Sequence, residues 1–71
     1  MTKNEIAQAV YDHALKNYRH DGWDIIVECY DLAEIVEVMG NASTVSGAIK
    51  NVQRIIKPAA AYRKEVEATA Y

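Results

Sequence analysis

The chain has no phenylalanine, one cysteine (Cys29), one proline (Pro58) and three glycines. A lone cysteine forms no intramolecular disulfide, which a secreted domain of this size would ordinarily need, so a reducing cytosol is the expected setting. Runs of apolar residues are also short: the longest stretch of branched aliphatics is Ile25 to Val27, against the ~20 residues that a membrane span requires. The opening Met1-Thr2-Lys3-Asn4-Glu5 carries no apolar block of the signal-peptide kind, and a soluble, cytoplasmic protein is expected. An excess of charge is missing too. Eight Lys and Arg against ten Asp and Glu leave a net charge of -2, which gives no global attraction to nucleic acid or anionic lipid, so any basic site must be local.

What is present is a high apolar fraction, 51% of 71 residues. That is more than one small core needs, and it favours an oligomer or a bound partner. No repeat, linker or low-complexity tract divides the chain, so residues 1–71 are expected to form a single helical domain.

Thr2 with Glu5 three positions on is a capping box, which starts a helix. Steps of about 100° place Ile6, Ala7, Val10, Tyr11, Ala14, Leu15 and Tyr18 on one side. This first helix is expected over about 3–20, with Gly22 just beyond its end. The run Gly22 to Gly40, which holds the only Trp and the only Cys, reads almost as an alternating strand as far as Tyr30. No second strand-like run exists to pair with it, so a second helix is expected over about 24–39, capped by Asp24 and stopped by Gly40. Its buried stripe would be Ile25, Cys29, Leu32, Val36 and Met39. The alternative is a loop or strand to Tyr30 and then a short helix capped by Asp31 and Glu34.

Ser43 or Thr44 can cap a third helix, whose stripe is Val45, Ala48, Ile49, Val52, Ile55 and Ile56. Ala59, Tyr62, Val66 and Ala70 continue that stripe in phase across Pro58, so one long helix over about 44–69 is expected, kinked at the proline and frayed after Val66. The expectation is an all-α, three-helix domain, self-associating as a homodimer or larger oligomer through its second and third helices.

Catalytic chemistry has little to stand on. His13 and His20 lie two helical turns apart, roughly 10 Å, too far to share one metal ion. His20, Asp21, Asp24 and Cys29 match no ligand spacing, and Cys29 on an apolar stripe reads as a buried, inert thiol. No enzyme, metal or cofactor is expected. The row Glu28, Asp31, Glu34 and Glu37 could dock a basic partner or be simply solvated. Lys50, Arg54, Lys57 and Lys64 share the outer side of the third helix and could follow phosphates or an acidic partner. A helix-turn-helix at Gly40 would place Lys50 and Arg54 on its recognition helix, but polar Asn41 and Ser46 fall where that motif buries apolar residues.

Five tyrosines suit half-wet positions; Tyr11, Tyr18 and Tyr62 are expected at the core rim. On a continuous second helix, Trp23, Val27, Tyr30 and Val38 would point away from the buried stripe. With Glu34 and Glu37 they make the expected protein-binding face. The segment Asp21-Gly22-Trp23-Asp24-Ile25-Ile26-Val27-Glu28-Cys29, followed by Asp31 and Glu34-Ile35, resembles one found in short, uncharacterised helical proteins of bacteriophage and prophage origin. It spans about a quarter of the chain and is not a catalytic motif. The resemblance implies a phage accessory protein that binds, redirects or inhibits a host macromolecule, with anti-defence proteins such as anti-CRISPR inhibitors included.

Overall fold

Thr2 opens the first helix as its spacing predicts. Its hydroxyl accepts the Glu5 amide at 3.2 Å, and the Glu5 carboxylate accepts the Thr2 amide at 2.9 Å. The bond from the Thr2 amide, with a smaller contribution from the Thr2 hydroxyl, favours the ionised acid and holds the Glu5 carboxyl below its usual range. Helix α1 (Lys3–Lys16) buries Ile6, Ala7, Val10 and Ala14. It stops four residues before His20, at Asn17, whose backbone (φ -114°, ψ 26°) leaves the helical region and whose side-chain amide donates to the His13 carbonyl at 2.9 Å. Leu15 and Tyr18, expected on the buried side, are exposed.

In the computed structural model, which describes residues 1–69, the remaining helices are α2 (Trp23–Cys29), α3 (Leu32–Val38) and α4 (Val45–Thr69). The fold is all-α with four helices, and the single helix expected over 24–39 is two. The break falls at Tyr30, whose extended backbone ends α2. Asp31 then restarts the chain with a second capping box: its carboxylate accepts the Glu34 amide at 2.9 Å, and Glu34 accepts the Asp31 amide at 3.2 Å. Asp24 caps nothing; α2 begins one residue earlier, behind left-handed Gly22.

With the phase reset at the break, each short helix aims its own apolar pair inward. These are Trp23 and Ile26 from α2, and Ile35 with Met39 from α3 and its end. The stripe drawn on a continuous helix is therefore misplaced: Cys29 is exposed rather than buried, and Leu32 is 40% exposed.

Met39 and left-handed Gly40 close α3, and the Asn51 side-chain amide donates to the Met39 carbonyl at 2.8 Å, tying the 39–44 connection to α4. The Thr44 hydroxyl then accepts the Gly47 amide at 3.1 Å at the head of α4. Helix α4 runs unbroken through Pro58. The proline has no N–H, so the Arg54 carbonyl lacks its helical donor, and both residues are exposed, where water can replace it. The helix reaches Thr69, where it is expected to end, with the Thr69 hydroxyl donating to the Glu65 carbonyl at 2.9 Å. Ala70, expected on the same stripe, lies outside the described residues.

Helix α1 touches the other three helices, while α2 and α3 each also pack on α4. Ala48, Val52 and Ile56 of α4 complete the core. No buried side-chain polar atom among the described residues lacks a partner.

Candidate protein-binding surfaces

Of the six residues expected to form a binding face, the structure removes Trp23. It is 1% exposed, and its indole meets the His13 ring edge to face at 4.8 Å between centroids, so it is the keystone between α1 and α2. His13 is accordingly half-buried, not a free surface histidine. Val27, Tyr30 and Val38 are half-buried with one side packed on the core. Glu34 and Glu37 are exposed, although Glu34 is engaged in capping α3.

Two of the six come together at one place. The break between α2 and α3 leaves an open groove of about 330 Å³, lined by Gln8 and Tyr11 of α1, Val27 of α2, Tyr30 and Asp31 at the break, and Leu32 of α3. Helix α1 supplies one wall because Gln8 and Tyr11 follow the buried Ala7 and Val10 by one position and therefore sit on the flank of its core face. Its two tyrosines, two aliphatic side chains and single lining carboxylate suit an apolar side chain with a cation beside it. Asp12, which accepts the Gln8 side-chain amide at 3.2 Å, adds a second acidic group behind that wall. Gln8, Tyr11 and Leu32 went unrecognised as a site because their proximity depends on a tertiary contact between α1 and the break.

Asp24 and Glu28, polar residues of α2, act as structural ties. The Tyr18 hydroxyl donates to the Glu28 carboxylate, which, with some desolvation, raises the tyrosine's pKa. Asp24 receives a bidentate pair from Arg63 of α4, at 2.7 and 3.2 Å. Those hydrogen bonds pull the Asp24 carboxyl below its usual value.

The basic residues Lys50, Arg54, Lys57 and Lys64 are all exposed along α4, and Lys57 and Lys64 border a smaller hollow of about 170 Å³ with Asp21, Ala60 and Ala61. Six residues, 39–44, separate α3 from α4, longer than the three- or four-residue turn of a helix-turn-helix. Cys29 is a free surface thiol, and the described hydrogen bonds of His13 go to Asn17. Among the described residues no group of three or more His, Cys, Asp or Glu could hold a metal ion, and no helix is long and apolar enough to cross a membrane. Comparison of the chain with protein-family models, with curated proteins and with solved structures gave no match.

Proposed function

We propose that the chain is a non-enzymatic protein-binding module whose groove at the α2–α3 break holds an apolar side chain of a partner segment that also carries Lys or Arg. The observation that carries this reading is the convergence of Tyr11, Val27, Tyr30 and Leu32 from three helices on one open groove beside Asp31. Tyrosine walls contribute contact area at low entropic cost, and the carboxylates select the sign of the flanking charge. Through its resemblance to phage proteins, the partner is read as a host macromolecule whose activity the module blocks, in the manner of an anti-defence inhibitor.

Titrating the labelled protein with peptides that carry one aromatic or leucine anchor, flanked by either Lys/Arg or Asp/Glu, tests this. Chemical-shift changes should cluster at Tyr11, Val27, Tyr30 and Leu32 for the basic-flanked set and disappear in Tyr30→Ala with Leu32→Asp, without loss of helicity. Equal response to acidic flanks, or no response at the groove, removes the reading.

The exposed row Lys50, Arg54, Lys57 and Lys64 supports a second reading, a small DNA-binding regulator. Duplex affinity at low salt that falls steeply as salt rises is its required signature, and absence of that affinity ends it.

A further inference from the structure

Beyond Ala60 no residue of α4 up to Thr69 is buried, yet this arm is not polar all round. Ile55, Ala59, Tyr62 and Val66 follow one another at spacings of four, three and four, and Ile55, Tyr62 and Val66 are 44%, 69% and 47% exposed. At about 100° per residue they occupy an arc of about 60° on one flank of the helix. Lys50, Lys57 and Lys64 lie on the other flank, and Ile56, Ala60 and Arg63 face the bundle. Four-three spacing is that of a coiled-coil seam, and among the described residues this one stays exposed.

We propose that the occupant is a second copy of the chain, its α4 arm running antiparallel to the first so that Ile55 packs on Val66 of the other copy and Ala59 on Tyr62. Three features select this arrangement. Antiparallel alignment places the small Ala59 opposite the large Tyr62 in both central layers, whereas a parallel pair would set alanine against alanine and tyrosine against tyrosine. The same register is self-complementary under a two-fold axis, so every contact occurs twice. It also brings Arg54 of each copy within two residues of Glu65 of the other, both on the polar side of the seam. The arms overlap while the bundles sit at opposite ends. Four layers over about 16 Å bury less than the ~1,200–2,000 Å² of a standard interface, so the dimer is weak and concentration-dependent.

None of the seam residues lines the groove at the α2–α3 break, so failure of either proposal leaves the other standing. Sedimentation equilibrium of the full chain should show a monomer–dimer exchange. Tyr62→Glu with Val66→Glu should be monomeric at every concentration, while its Trp23 emission and its melting in dilute solution stay unchanged. A wild-type chain that remains monomeric, or a doubly substituted chain that still dimerises, overturns the proposal. In a Cys29→Ser background, Ile55→Cys chains should form disulfides with Val66→Cys chains when mixed with a mild oxidant such as copper phenanthroline, which takes up the two electrons; crosslinks within one variant alone, or none, overturn the register. Arg54→Glu should weaken the dimer several-fold and Glu65→Arg on the same chain should restore it; no recovery overturns the charge pairing.

Discussion

Residues 1–60 and the arm at 61–69 draw on the same helical chemistry and put their apolar side chains to opposite use. In the first region, the large buried side chains pack on one another: Ile6, Val10, Trp23, Ile26, Ile35, Met39, Val52 and Ile56 belong to a single core cluster. In the second, Tyr62 and Val66 extend the periodic pattern of α4 into solvent. The contrast teaches that helical periodicity marks a face that something covers, without saying whether the cover belongs to the same chain. The boundary is a physical one. Gly22, with φ of +86°, lets the 17–22 turn touch α4 at Ile56 and Ala60, and the Asp24–Arg63 pair is the last tie along the helix.

The strongest way to break the comparison is Trp23→Ala. Emptying the keystone position should cost about 3–5 kcal/mol, enough to unfold a domain this small, and thermal circular dichroism should show α1 and α4 lost together. Survival of a cooperative melt near the wild-type temperature would mean that the core is not centred on Trp23.

Gly22→Ala tests the boundary itself. A Cβ there would lie 2.9 Å from the Ala60 Cβ and 3.0 Å from the Ile56 carbonyl oxygen, on a backbone that L side chains rarely adopt. A loss of about 1–3 kcal/mol is expected in chemical denaturation, with local exchange increasing first around Ala60.

A smaller effect follows from the Asp24–Arg63 tie. The Asp24 carboxyl is held below 3.8, so its contribution is fully present above that pH and is lost as the pH falls through the depressed folded value. Arg63→Ala should therefore melt slightly earlier than wild type near neutrality, and the gap should close in acid. A gap that persists at the lowest pH would assign the effect to packing.

The smallest change is expected for Tyr62→Ala and Val66→Ala. In dilute solution each should shift stability by no more than about 0.5 kcal/mol, because both side chains are exposed. A larger loss in the monomer would place them in the core after all.

Much of the fold could be read from local chemistry. Thr2 with Glu5, Asp31 with Glu34, Thr44 with Gly47 and left-handed Gly40 all act within a few residues of themselves, which is the range a sequence displays. The break at Tyr30 was visible only as an alternative, since no glycine or proline marks it and Asp31 competes with continued helix by capping. A single helix over 24–39 fits one stripe to two segments that aim their apolar residues separately, and that stripe puts Trp23 on the surface and Cys29 in the core. Asn17, which ends α1 through the His13 carbonyl, and Asn51, which holds the Met39 carbonyl, were missed because an asparagine's preferred partner is not encoded in its neighbours. The groove shares that limit: Val27 and Tyr30 were nameable from the sequence, whereas Gln8 and Tyr11 reach it only through the packing of α1.

The arm also sets how the molecule travels through a solvent. Its dimensions are 47 × 19 × 18 Å with a radius of gyration of 12.6 Å, against about 11 Å for a compact chain of the same length. A rod-like particle experiences more drag than a sphere of equal mass, so even a single chain should elute early from a sizing column and pass for something larger. Friction and mass must be separated before copies are counted.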